Sequence, residues 1–310
     1  MTATLTTPDE LTCVFGDPSA VAHPLGAVGY AAAGAPVVGA GTPSLDVALG
    51  SPVTEVWTTG RPVTTGGTAD LTYGHDGDYA FLAGRVPPSP RYAPGVRRAY
   101  LRAFGTLADL GYPHVFRIWN FIGDINGSNA EGLEIYRDFC RGRAEAFETV
   151  PPPTGMVPAA TGVGAHSPGI GFYLLARREP GHTAVENPRQ LPAYRYPDRY
   201  GPRPPSFARA SRLPGGPLLI SGTASILGHR TRHARDPTAQ LRTTLANLAV
   251  LAPDLSALRA VKVYVRHAAD LDEVRSRCAA VFREPIACFV TDLCRSDLLV
   301  EIEGIAPGRA

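Results

Sequence analysis

Lysine is almost absent from this chain of 310 residues: Lys262 is the only one, and every other strong base is Arg. A Schiff-base mechanism would have to use Lys262, and an anionic ligand would be held mainly by guanidinium forks. Cysteine is scarce too. Cys13, Cys140, Cys278, Cys288 and Cys294 are odd in number and show no CxxC spacing. That argues against a disulfide scaffold or a zinc site and fits reduced thiols in the cytoplasm. No run of about 18 apolar residues is present, so no membrane span is expected. Residues 1–10 lack the basic start and apolar core of a secretion signal.

Other patterns are missing as well. There is no GxGxxG after a strand, no Walker loop and no GxSxG elbow, so no nucleotide cofactor is expected. Gly162-Val163-Gly164 reads as a turn. His229 and His233 are four apart but lie in a loop-like segment without HExxH, and no metal is expected. The formal net charge is only +2 and the Arg residues are scattered, which argues against a nucleic-acid partner. The stretch 194–203 interleaves Tyr with Arg, but its Pro and Gly residues fix a short loop. It is either an exposed connector or the source of one Tyr and one Arg in a cleft between domains.

What is present is a repeated order of elements. In the second half, a strand from Pro217 to Gly222 precedes a helix over about 237–251, with Leu241, Leu245 and Leu248 on one face. A strand over 260–265, a helix opening at Asp270, and strands at 288–290 and 298–302 follow. The first half repeats this with a strand at 80–84, a helix at 94–110 and a strand at 115–119. A helix over about 130–147 and a strand at 171–175 complete it. A duplicated β-α-β-α-β-β unit explains both halves. The Pro- and Gly-rich segment 151–171 reads as a long loop over a site. The boundary is placed in the second Pro-rich stretch, giving domains at 1–195 and 196–310. The first fifty residues carry no assignable pattern.

Glu301 and Glu303 stand two residues apart on a strand, so both point to one face, with Val300 and Ile302 on the other. Acids in an apolar strand are costly unless they are paired or used. Glu301 is the candidate for chemistry, because thiol, cation and acid crowd the preceding segment 291–297. Glu303 fits a solvated sheet face equally well. Asn129, Tyr136 and Arg143 recur every seven residues, which places them on one helical stripe. An amide, a phenol and a guanidinium in line suit a polar ligand with carboxylates.

Residues 218–306 resemble the YjgF-like reactive-intermediate deaminases. The likeness rests on Ile220-Ser221-Gly222, Gln240 with Asn247, Val261–Val265 and Val300–Ala306. That family needs an Arg fifteen residues before the first Glu of this ending. Ile286 stands there, which disfavours imine hydrolysis. The whole chain resembles the chorismatase family, a duplicated form of that fold, through Tyr136–Arg143, Pro158–His166, Glu186–Pro188, Tyr200–Pro205 and Cys294–Glu301.

The resemblance implies an α+β protein of two tandem YjgF-like (chorismate-mutase-like) domains, sheets packed on helices, with the catalytic Glu in the second. It implies removal of pyruvate from chorismate without metal or organic cofactor. Glu301 would protonate the enolpyruvyl group, while Arg143 and Arg203 take the carboxylates. Asn129 and Tyr136 would orient the ring, and Tyr196 would reach the cleft with Arg203. Hydrolytic members tend to carry Ala at two pocket positions. Here these are Gly222 and Cys294, as in members that form 3-hydroxybenzoate. The alternatives are a hydrolase giving a dihydrodiol, or a non-catalytic aromatic-acid-binding protein on the same fold. A homo-oligomer and a role in supplying a polyketide starter unit are also implied.

Overall fold

The computed structural model describes residues 11–31 and 41–308, so the expectation for residues 1–10 lies outside it. The N-terminal part forms a four-stranded sheet from β1 (Thr12–Phe15), β2 (Pro24–Gly29), β3 (Ser44–Asp46) and β4 (Thr54–Thr58), in the order β1-β4-β2-β3. A first six-stranded sheet follows, from β5 (Thr64–Gly67), β6 (Leu71–His75), β7 (Tyr79–Val86), β8 (His114–Gly123), β9 (Ala159–Ala165) and β10 (Ile170–Arg177). A second six-stranded sheet uses β11 (Thr183–Val185), β12 (Ala210–Arg212), β13 (Leu218–Ala224) and, after the small hairpin β14 (Ile226–Leu227) and β15 (Arg230–Thr231), the strands β16 (Arg259–Val265), β17 (Ala287–Val290) and β18 (Val300–Ala306).

The two large sheets share one topology. Their orders are β5-β6-β7-β10-β8-β9 and β11-β12-β13-β18-β16-β17. Each has one parallel pair at the same place, β8 with β9 and β16 with β17. Helices α1 (Ala93–Asp109) and α2 (Ile135–Thr149) belong to the first unit, and α3 (Pro237–Leu251) and α4 (Leu271–Ala279) to the second. The expected β-α-β-α-β-β order is present twice, each time with an antiparallel pair of strands in front. No described helix is long and apolar enough to cross a membrane.

Alternation along the strands decides what faces what. On β10, Phe172 and Leu174 join the core under α1 and α2, while Tyr173 and Leu175 join a separate core between the sheets. On β18, Val300 and Ile302 pack under α3. Glu301 and Glu303 therefore point away from the helices, into the space between the two large sheets. The period of two dictates this for both acids at once.

Helix α3 is set by chemistry readable in the chain. Asp236 caps it by accepting from Ala239 N at 2.8 Å, and Pro237 opens it. Its buried amides brace the strands around β18. Gln240 accepts from Leu299 N and donates to Asp297 O, both at 2.8 Å. Asn247 donates to Ala224 O and Ile226 O, both at 3.0 Å.

Four expectations change. The segment 151–171 is not one long loop, because β9 runs through it beside β8. Its small residues carry little strand signal, yet they are needed: a Cβ on Gly164 would lie 2.9 Å from Asp292 O across the gap. Strands β1 to β3 occupy described parts of the unassigned first fifty residues. Helix α2 starts at Ile135 rather than near Ala130, with Glu134 as N-cap. The second sheet begins with β11, ahead of the expected boundary at 195.

Candidate active site

Strand β9, at the edge of the first sheet, lies against β13 of the second. Ala160 N donates to Ser221 Oγ and Gly222 N donates to Thr161 Oγ1, both at 2.9 Å. Beside this seam opens a cavity of about 290 Å³, lined from α2, β9, the 196–209 segment, β13, the 294–297 turn and Glu301.

Glu301 is 3 % exposed. Burial first, and then the neighbouring Glu303, push its carboxyl up to about 8, while Arg117 and Arg209 pull the other way. Among the described residues its carboxyl accepts no hydrogen bond. A carboxyl in this state holds its proton at neutral pH and faces the cavity. Glu303 behaves in the opposite way. Burial pushes it up, but Lys262 and Arg117, with hydrogen bonds from Thr161 and Tyr264, hold it below the usual carboxylate range. The solvated face that fits its sequence position is not what the fold builds, since Glu303 is 1 % exposed. Lys262 is likewise buried, charged and paired with two carboxylates, and it does not line the cavity, so it is not placed for a Schiff base there.

The cavity walls are cationic and aromatic. Arg143 is buried on α2, its guanidinium 5.0 Å from the centre of the Phe139 ring, and its Nε has no partner. Arg209 is buried, donating to Leu191 O at 2.9 Å and Tyr196 OH at 2.8 Å. Arg295 lies 4.2 Å above the Tyr200 ring and donates to His229 O at 2.9 Å. Among the described residues no carboxylate pairs with any of these three. Two buried cations and a half-buried one, none paired with a carboxylate, favour an anionic ligand. Arg137 also reaches the cavity but is paired with Glu134 at 2.9 Å.

Of the residues singled out in the sequence, Glu301, Tyr136, Arg143, Tyr196, Gly222 and Cys294 all line this cavity. Burial, followed by Cys140, pushes the Tyr136 phenol well up, so it faces the cavity protonated. Burial, followed by Glu301, pushes the Cys294 thiol well up, so it faces the cavity as a neutral, weakly polar group. A β-bulge between Ile220 and Thr223 shifts the β13–β18 register, and Gly222 comes against the Glu301 carboxyl.

Asn129 and Arg203 are not in the cavity, which corrects two expectations. Asn129 precedes α2, so the seven-residue spacing does not put it on the stripe of Tyr136 and Arg143. Its Oδ1 accepts from Glu131 N and Leu133 N, and its Nδ2 donates to Asp138 at 3.0 Å, an arrangement that orders the loop. Arg203 is exposed and pairs with Glu148 at 3.1 Å. Sequence reasoning missed Arg209, Arg295, Thr161 and Tyr200. Arg209 carried no signal, being one Arg among many. Arg295 and Tyr200 lay inside the resembling segments. His229, a metal candidate only by spacing, instead has Arg199 Nη2 2.7 Å from its Nδ1.

Comparison with known proteins gives a consistent result. The family model "Chorismatase FkbO/Hyg5-like, N-terminal" matches residues 55–176. A 3-hydroxybenzoate synthase from Streptomyces hygroscopicus is 48 % identical over 308 residues, covering 91 % of each chain. A chorismatase from Streptomyces rapamycinicus is 43 % identical over 271 residues, covering 81 % of each. A crystal structure of a chorismatase superposes with a TM-score of 0.90 at 38 % identity, over 96 % of this chain and 98 % of that one.

Proposed function

This chain belongs to the chorismatase family, and on that premise we propose that it converts chorismate to 3-hydroxybenzoate and pyruvate, with Glu301 as the acid. The observation that carries the assignment of Glu301 is its raised, buried carboxyl at a cavity whose arginines lack carboxylate partners.

Chorismate is a dianion with an enol ether. Arg143 takes one carboxylate from the α2 side, and Arg209 or Arg295 faces the other from the opposite wall. Both roles suit the planar guanidinium fork. Tyr136 and Tyr196 bound the ring between these two ends. The Glu301 proton moves to the enolpyruvyl methylene, leaving an oxocarbenium ion and a carboxylate. The new anion is stabilised by the cation that has just formed and by Arg117 and Arg209 nearby. The substrate's own ring hydroxyl then adds to the oxocarbenium carbon, giving its proton to the Glu301 carboxylate. In the ketal so formed the bond between that oxygen and the ring breaks, and pyruvate leaves with this oxygen as its carbonyl. The ring aromatises by losing a C–H proton while the oxygen it retains takes one up. No water is consumed, because chorismate has the summed composition of the two products. Gly222 and Cys294 shape the wall beside Glu301 and favour this route over attack by water.

The test is to incubate the purified protein with chorismate and identify the products by chromatography and mass. One pyruvate per 3-hydroxybenzoate is expected, including in the presence of a strong chelator. Chorismate left unchanged at high enzyme concentration, or chelator-abolished activity restored by one metal, would refute the proposal.

A further inference from the structure

Glu303 does not line the cavity, and the steps above do not use it. It is nevertheless gripped from three strands. From β8, the Arg117 guanidinium and Trp119 Nε1 donate to Oε2, the latter at 2.9 Å. From β9, the Thr161 hydroxyl donates to the same oxygen at 2.5 Å. From β16, Tyr264 OH donates to Oε1 at 2.7 Å and Lys262 Nζ lies 3.0 Å from it.

Behind Lys262 stands Glu55 of β4, its Oε2 2.6 Å from Nζ. Glu55 is fully buried. It accepts from Tyr30 OH just after β2 at 2.6 Å, Trp57 Nε1 at 2.7 Å and Tyr173 OH on β10 at 2.6 Å. The charges therefore alternate from the four-stranded sheet inward: Glu55, Lys262, Glu303, Arg117. This set is neutral when all four are ionised. Glu301 is the next acid, on the same face of the same strand, about 7 Å along from Glu303. The other titratable groups facing Glu301 are Arg209 from the segment before β12, Cys294 from the turn before β18 and Tyr264 from β16.

We propose that Glu303 is a positioning residue for the acid step: fixed as an anion by Arg117 and by the Lys262–Glu55 pair, it adds to burial in keeping Glu301 in the protonated form. The inference rests on Glu301 being the acid. It also gives the four-stranded sheet, which contributes nothing to the cavity lining, a share in catalysis. Charge decides the direction. Two carboxylates this close do not readily both ionise in a buried site, and Glu303 holds the anion because it has the cations and the donors. The opposed shifts of the two acids agree with this.

The experiment is the pH profile of kcat/KM for chorismate in wild type, Glu303→Gln, Glu55→Gln and Glu301→Gln. Glu303→Gln removes the repelling charge and leaves Arg117 and Lys262 to favour ionised Glu301. Its alkaline limb is expected about one to two pH units lower than in wild type, with activity recovering on acidification. Glu55→Gln is expected to shift the limb the same way by less, because Lys262 then turns its whole charge toward Glu303. An unshifted limb in both variants, or a loss equal at every pH, overturns the inference. Should Glu303→Gln not fold, Glu55→Gln decides: a limb that stays or moves to higher pH overturns it. Glu301→Gln separates the two levels. If it keeps the wild-type profile, the acid assignment itself fails. If it is inactive while Glu303→Gln keeps the wild-type limb, only the present inference fails.

Discussion

Gly222 leaves just enough room for the Glu301 carboxyl. A Cβ at position 222 would overlap Oε1 of Glu301, with Cδ at 2.9 Å and Thr161 Cγ2 at 3.1 Å. The carboxyl is the far end of a flexible side chain, so an added methyl would push it aside rather than unfold the strand. Gly222→Ala alone is therefore expected to lower turnover by re-aiming the acid, and Cys294→Ala alone to do so less. The double variant is expected to shift product from 3-hydroxybenzoate toward the dihydrodiol. A barrier difference of about 1.4 kcal/mol changes the branching ratio tenfold. Product ratios by chromatography check this; an active double variant with an unchanged ratio would remove both residues from control of the branch.

Glu301→Gln is expected to fold and lose turnover by about 10²–10⁴-fold, since an amide cannot supply the proton. It is also expected to gain stability at alkaline pH. The folded carboxyl of Glu301 is raised from 4.5 to about 8. Its contribution is fully present below the unfolded value and is lost as pH rises through the folded one. The total is on the order of 3–5 kcal/mol. Thermal midpoints should fall with rising pH more steeply in wild type than in the variant. Parallel pH dependences would show that Glu301 is ionised in the resting fold.

Activity itself should follow the same proton. The acid form is needed, so kcat/KM is expected to be level on the neutral side and to fall above about pH 8. A profile still level well above that pH would assign the protonation to another group.

Two arginines that the sequence treats alike should behave differently. Arg143 is buried at the cavity, and Arg143→Lys is expected to reduce kcat/KM by tenfold or more (about 1.4 kcal/mol), as one fork contact is lost. Arg203 is exposed and paired only with Glu148. Arg203→Ala is expected to leave kcat/KM within about twofold, as for other exposed ion pairs. Equal effects at the two positions would mean that the 200–205 segment moves into the cavity with substrate.

Local signals carried much of the architecture. The acids of β18 lie on one face because a strand alternates, and α3 begins at Pro237 because Asp236 caps it. Both were readable from neighbours in the chain, as was the repeated order of elements, since each unit has its own apolar periodicity. The cavity residues on α2 and β18 came from the same local regularity joined to the family resemblance. Signals failed where order comes from elsewhere. β9 is composed of small residues and is a strand only because β8 pairs with it. Asn129 looked like part of a helical stripe because spacing does not reveal that the helix starts at Ile135.

The sequence by itself determined that Glu301 and Glu303 share a face, that a duplicated unit exists, and that an anion would be held mainly by arginine. Only the tertiary structure decided which acid keeps its proton. That choice depends on Arg117 and Lys262, which are 186 and 41 positions from Glu303 along the chain, and on Glu55, which comes from a third sheet. Electrostatic balance in a buried site is set by distances across the fold, and a linear pattern holds no record of them.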